Sequence, residues 1–321
     1  MAYFNEYSTA DEVLKGVDLV GKRVLITGVS AGLGVETARV LAAHGARVVG
    51  TARNLVKARG AIEPVLPYAR NGGGIELIEL NLASLASIRA TADTLKANGY
   101  AFDVVINNAG VAHPPFGRTE DGFETQFGTN HLGHFVFTNR LAPLISNGGR
   151  LVILASAAHR MSDIDLDDLN YCNTPYDPFT SYGRSKTACI LFGVEFDRRH
   201  RTRGIRATAV HPGVIRTDLS RHINQTDIDE MLEGLNAARA AAGRPLFRYK
   251  TIAEGAATSV WAGFVAEAAE VGGRYCENCH VADVVEGPLD ATDEGLYAYA
   301  VDPDRAKALW EKSEGLVNEH F

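Results

Sequence analysis

Tyr182, in "SYGRSKTAC", is followed four residues later by Lys186, and none of the other tyrosines among the 11 in the chain has that partner. On a helix, residues four apart share a face, so this pair would set a phenol beside an ammonium. Such a pair suits proton transfer to or from a carbonyl oxygen. A phenol alone is sluggish near neutrality, and a neighbouring positive charge favours its phenolate. Taken alone, Tyr-x-x-x-Lys is an ordinary surface pair on a helix. Two strand ends remove the isolation: "LVILAS" delivers Ser156, whose hydroxyl can bond the same oxygen, and "FDVVINNAG" ends in a polar turn.

A second kind of chemistry lies in "TGVSAGLG", where Gly28, Gly32 and Gly34 stand between an apolar run and a helical pattern. Glycines in that setting allow a tight turn and bring backbone N–H groups against a pyrophosphate at a helix N-terminus. The spacing is GxxxGxG, and no Lys-Ser or Lys-Thr follows, which favours a dinucleotide over a nucleoside triphosphate. Where an acidic residue would bond the adenosine ribose of NAD, "GTARN" offers Arg53. A guanidinium suits a 2′-phosphate, so the expected cofactor is NADP(H) rather than NAD(H).

A third string, "YCENCH", has the form of a c-type haem attachment signature or half a zinc site. Neither reading has support elsewhere. A structural zinc site needs four ligands, and Cys172 and Cys189 supply no second Cys-x-x-Cys, so no metal is expected. The string reads instead as the last, edge strand of a sheet with two small packable thiols. Alternation along it would put Cys276 and Asn278 on one face and Cys279 on the other, depending on a bend.

These groups need elements to hold them. The runs "KRVLITG", "ARVVGTA", "GIELIELNL", "FDVVINNAG", "GRLVILAS" and "IRATAVHPG" read as buried strands. Between them lie helical patterns, including "LGVETARVLAAHG", "LASIRATADTLKANG" and "GFETQFGTNHLGHFVFTNRLAPLI". Alternating strands and helices predict an α/β fold: a single doubly wound Rossmann-type domain over 1–321, with a parallel sheet covered by helices on both faces. Ligands of such sheets bind beyond the carboxyl ends of the strands, so strand-end residues are where chemistry is expected.

Composition is that of a globular protein rather than a disordered or fibrous one. Of 321 residues, 46% are hydrophobic and 22% charged, and the net charge of −7 provides no concentrated basic face for nucleic acid. The basic run "RRHRTR" at 198–203 reads as the solvated end of a helix. No transmembrane segment is expected, and "MAYFNEYSTADEVLKG" lacks the pattern of an export signal, so the expected location is cytoplasmic with reduced thiols.

In order and at strand ends, the motifs resemble the short-chain dehydrogenase/reductase superfamily over nearly the whole chain. The resemblance rests on Thr27-Gly28-x-x-x-Gly32-x-Gly34, Asn107-Asn108-Ala109-Gly110, Asn130, Ser156, Tyr182-x-x-x-Lys186, and Pro212-Gly213 with Thr217. It implies Tyr182 as general acid/base, Lys186 as its electrostatic partner and ribose ligand, Ser156 orienting the carbonyl, and Asn130 holding a relay water. It also implies a cofactor cradle of Gly28, Ser30, Gly32, Leu33, Gly34, Arg53, Asn54, Asn81, Leu82, Asn108, Ala109, Gly110, Tyr182, Lys186, Pro212, Gly213 and Thr217.

"NHLGHFVFTN", "SAAHRMSDIDLDDLN", "HPGVIRTDL" and "STADEVLKGVDLVGK" narrow the resemblance to the branch of the retinol dehydrogenases and the WW-domain oxidoreductase. Asn81 departs from that branch, which usually has Asp there. The branch implies hydride exchange with a lipophilic, bulky ketone, aldehyde or alcohol, and its long stretch from Ser156 to Tyr182 adds a flap beside the pocket. Residues 1–20 read as an N-terminal extension, and about 218–250 as a helical substrate lid whose Ile, Leu, Met and Phe form an apolar wall. Competing readings are an idle NADP(H) sensor, a retinoid- or steroid-type dehydrogenase of narrow specificity, a haem carrier and a sugar-nucleotide epimerase. The sequence leaves room for a homo-oligomer.

Overall fold

Neighbouring apolar residues of each strand feed two separate cores. The computed structural model describes residues 4–289 and 293–321, without the side chains of Gln225, Asp227, Ile228 and Met231. The strands are β1 (Arg23–Thr27), β2 (Arg47–Ala52), β3 (Gly74–Glu79), β4 (Phe102–Asn107), β5 (Ile145–Leu154), β6 (Arg206–His211), β7 (Arg274–Glu277) and β8 (His280–Val281). They form one sheet in the order β3-β2-β1-β4-β5-β6-β7-β8. Every pairing is parallel except the β7–β8 edge.

The helices are α1 (Ala10–Val13), α2 (Gly32–Ala43), α3 (Leu55–Ile62), α4 (Leu85–Ala97), α5 (His134–Leu141), α6 (Pro178–His200), α7 (Gln225–Ala241), α8 (Ile252–Val260), α9 (Ala268–Val271) and α10 (Pro303–Val317). Val24, Ile26, Val104, Ile106 and Val152 turn to the side covered by α1, α2 and α8. Leu25, Val105, Leu151 and Ile153 turn to the side covered by α4, α5, α6 and α10. Burial on both faces is why these strands are continuous apolar runs rather than alternating ones. Strand order reverses between β1 and β4, and the crevice beyond their carboxyl ends is where a ligand of this architecture belongs. At the opposite pole, the depression lined by Arg23, Arg47 and Asp103 lies at the amino ends of the strands.

Three expectations change. The helix foreseen in "GFETQFGTNHLGHFVFTNRLAPLI" opens as a π-helical segment, Phe127–Gly133, before α5. A Cβ on Gly133 would stand 2.4 Å from the Leu82 carbonyl oxygen, and one on Gly128 2.5 Å from a Thr119 methyl. The wide turn therefore packs its glycines against neighbouring chain.

"YCENCH" is a hairpin rather than a single strand. Asn278 and Cys279, with φ of 49° and 60°, form the turn between β7 and β8, so β8 is the edge. The turn returns Cys279 to the same buried cluster as Cys276, correcting the opposite-face placement.

"RRHRTR" does end α6, with Arg198, Arg201 and Thr202 exposed, but it is only partly solvated. Arg198 and Arg199 both bind the buried Glu195 carboxylate, Arg199 also lies over Trp310, and Arg203 donates to the carbonyls of Ala142 and Ile145. Burial raises the Glu195 carboxyl, but the two guanidiniums overcome it and hold it below the usual range.

Of the stretch proposed as a lid, about 218–250, α7 is helical and follows a short 3-10 turn at Asp218–Ser220, whereas 244–249 is without helix. It is pinned at its edges by Arg216 to Asp229, Lys57 to Asp218, and the Asn236 amide to the Phe247 backbone. Of its expected apolar wall, Leu232 and Leu235 are half-buried, Leu246 is exposed, and the side chains of Ile228 and Met231 lie outside the described residues.

Candidate active site

Asp177 caps α6 by accepting the Thr180 N–H, and Pro178 occupies its first turn, where no N–H is needed. The cap fixes the start of a helix whose buried face carries Ser181, Tyr182, Ser185 and Lys186. Lys186 is buried. Its Nζ donates to the Leu154 carbonyl at 2.8 Å and lies 5.6 Å from the centre of the Tyr182 ring. Leu154 closes β5, so the ammonium is anchored to the strand that leads to Ser156.

Ser156 caps the 3-10 turn Ala157–Met161, its Oγ accepting the Ala158 N–H at 3.1 Å, which leaves its hydroxyl proton to give. The Ala157 N–H is taken by Nδ1 of His211 at the end of β6, a ring that burial and neighbouring cations keep neutral. The serine turn is thus tied to the strand beside it.

Asn130, in the π segment, is a strut. Its Oδ1 accepts the Val111 N–H, and its Nδ2 donates to the Val111 carbonyl and to Ser185 Oγ. Its backbone carbonyl accepts from His134 Nδ1 and Cys189 Sγ. Both amide hydrogens are committed, so the second lone pair of Oδ1 is the acceptor left to the side chain.

Two residues whose roles the sequence did not reveal complete the frame. Thr27 Oγ1 accepts the N–H groups of Asn108 and Ala109 and lies 2.9 Å from His134 Nε2. Burial lowers the His134 pKa to about 4, so the ring carries one proton near neutrality. Because the Asn130 carbonyl can only accept, that proton sits on Nδ1 and Thr27 donates to Nε2. One polar chain therefore runs from the turn after β4 through Thr27 and His134 to Asn130. The i, i+4 spacing of Asn130 and His134 was the available signal.

The glycine turn fits a dinucleotide. Gly28 has φ of 79°, and a Cβ on Gly34 would stand 2.1 Å from the Gly28 carbonyl oxygen. α2 begins with no side-chain cap, leaving its first N–H groups for an anion. Thr217 approaches from the far side, its methyl 3.4 Å from where a Gly32 side chain would begin. Gly110 borders both Asn130 Oδ1 and Lys186 Nζ, at 3.2 and 3.8 Å from an added Cβ. Arg53 is exposed at the end of β2 with no ion pair among the described residues, and Asn54 caps α3. Ser30 and Leu33 are half-buried beside the turn.

Other expected contacts are more constrained. The Leu82 side chain is packed in the core, leaving only its backbone for a ligand. Asn81 spends its amide on Glu120 and its oxygen on the Ala83 N–H. Pro212 and Gly213 follow β6, and the Lys250 side chain lies across Gly213, its Nζ donating to Asn278 Oδ1 at 2.5 Å. The hairpin formed by "YCENCH" therefore braces this loop. Burial raises its thiols, Cys276 far above the usual range and Cys279 to about 11, so both stay protonated near neutrality. Among the described residues no cluster suited to a metal occurs, and no helix is long and apolar enough to cross a membrane.

The model of the short chain dehydrogenase family matches residues 22–228. Short-chain dehydrogenase/reductase prx1 of Penicillium roqueforti is 35% identical, over 97% of this chain and 90% of its own length. Retinol dehydrogenase 14 of Mus musculus is 37% identical, over 92% of this chain and 86% of its own. A solved structure of an uncharacterized protein from Mycobacterium paratuberculosis superposes with a TM-score of 0.71 at 32% identity, covering 95% of this chain and 96% of that one. The chain belongs to the short-chain dehydrogenase/reductase family, in the branch of the retinol dehydrogenases.

Proposed function

We propose that the protein is an NADP(H)-dependent oxidoreductase that moves a hydride between the nicotinamide and the carbonyl carbon of a lipophilic, bulky ketone or aldehyde, or of the matching alcohol. The observation that carries this reading is the Lys186 ammonium, buried and bonded to the Leu154 carbonyl, 5.6 Å from the Tyr182 ring. A bound nicotinamide supplies or takes the hydride. The chain's own residues handle the oxygen. Tyr182 gives its hydroxyl proton to the developing alkoxide, Ser156 donates a hydrogen bond to the same atom, and Lys186 stabilises the charge left on the phenolate. In the oxidative direction each proton runs back. Asn130 braces this group, and any relay water it carries is held through the free lone pair of Oδ1.

Arg53, exposed and without an ion pair among the described residues, supports NADP(H) over NAD(H), as its guanidinium suits a 2′-phosphate. The uncapped start of α2, with Gly28, Ser30, Gly32, Leu33 and Gly34, would hold the pyrophosphate. Asn54, Asn81, the Leu82 backbone and Asn108 to Gly110 would border the adenosine side, and Pro212, Gly213 and Thr217 the nicotinamide. Exposed Phe116, Met161, Phe179 and Val214 favour an apolar substrate. The chain would act as one catalytic domain in the cytoplasm, with 218–250 as its substrate lid. The test is a panel of ketones, aldehydes and alcohols followed by NADPH and NADH absorbance separately. Bulky aromatic substrates with NADPH should lead, and better turnover of small polar ketones would refute the apolar pocket.

A further inference from the structure

His113 stands three residues beyond the Gly110 turn, and the mechanism above makes no use of it. Its ring centre lies 4.7 Å from that of Tyr182 and 4.5 Å from that of Phe179, so it borders the reacting group and the exposed apolar rim together. Its backbone has φ of 55°, a conformation that non-glycine residues rarely adopt and that recurs at functional sites.

A dedicated brace holds it there. The His113 N–H donates to Gln126 Oε1, and Gln126 Nε2 donates to Tyr176 Oη and the Pro178 carbonyl. Tyr176 in turn donates to the Pro114 carbonyl. Burial lowers the ring's pKa to about 4, against the raising effect of Asp177, so it is neutral at physiological pH. Among the described residues, Nδ1 is enclosed without a partner, whereas Nε2 is not enclosed and makes no hydrogen bond. A purely apolar substrate covering Nε2 would strip its water and return nothing.

We propose that His113 is a specificity-determining residue whose Nε2 hydrogen-bonds a second oxygen on the substrate, so that hydroxyketones and diketones are preferred to simple ketones. This rests on the carbonyl-reduction reading above and narrows its substrate class. Sites built to bond a polar group reject analogues that lack it more strongly than apolar pockets reject a change in size.

The experiment compares propiophenone with its 2-hydroxy and 3-hydroxy derivatives, using NADPH and the full chain. Wild type should favour at least one hydroxyketone. His113→Phe keeps an aromatic ring and should lose about tenfold in kcat/KM on that substrate, with less than about a twofold change on propiophenone. Should Phe at this backbone angle prevent folding, His113→Asn serves instead. It tolerates the left-handed region, is too short to reach the place of Nε2, and should lose the same preference. His113→Gln should restore part of it, and NADPH affinity should hold in each variant. Equal losses on all three ketones would make His113 a packing residue and overturn the proposal, as would a wild type with no preference. A wild type that turns over none of them with either cofactor overturns the function proposed above, and this inference with it.

Discussion

At the scale of single residues, proton transfer and cofactor choice depend on separate side chains and can be tested separately. Tyr182→Phe removes the transferable proton but keeps the ring beside Lys186. Turnover should fall by about a hundredfold or more while NADPH binding, read by fluorescence titration, stays near that of the wild type. Activity within a factor of ten of wild type would mean that the proton comes from elsewhere. Arg53→Asp replaces the group suited to a 2′-phosphate with one suited to a ribose hydroxyl, and should move preference from NADPH to NADH. An unchanged ratio of kcat/KM values would assign the phosphate to another residue.

Tyr182, Lys186 and the glycines were legible in the sequence because their chemistry depends on local spacing. Thr27 was legible as part of the glycine motif but its partners were not, and neither were those of His113, because both make their contacts with distant elements: Thr27 with the turn after β4, His113 with α6.

At the scale of elements, the strands were readable because continuous apolar runs mark a sheet buried on both faces. The π segment was not readable, because a widened turn keeps the composition of a helix and is set by neighbours such as Leu82 and Thr119. The hairpin of "YCENCH" escaped for a similar reason: two consecutive left-handed residues, neither of them glycine, make the turn.

The π segment, α5 and the serine turn also carry a pH dependence. Burial lowers His131 to about 3, and His134 and His159 to about 4, from an ordinary 6.5. Below 6.5 the unfolded chain binds protons that the folded rings refuse. Stability is therefore complete above that pH and declines as pH falls towards 4, by up to about 1.4 kcal/mol per pH unit for each ring. Urea midpoints at pH 7, 6 and 5 should fall progressively. A flat series would show that the folded rings take up protons as readily as the unfolded chain.

At the scale of the whole molecule, the C-terminal segment ties together helices far apart in sequence. Trp310 on α10 packs against Phe135 and Phe192, Glu319 holds Arg89 of α4 and Arg140 of α5, and Arg199 of α6 donates to the Phe321 carbonyl. This assembly draws in Arg199 of the basic run, which lies over Trp310, while Arg198 and Arg201 stay exposed.

The same closed packing divides the four free cysteines: Cys172 is exposed, whereas Cys189, Cys276 and Cys279 are buried. The native protein should accordingly take up a single equivalent of iodoacetamide, at Cys172, and the remaining three only under denaturant. Mass spectrometry that finds Cys276 or Cys279 labelled before the fold is lost would contradict the hairpin's burial. The cysteines thus give the molecule an internal clock, in which the delay between the alkylation of Cys172 and that of Cys276 and Cys279 measures how long the sheet edge stays shut.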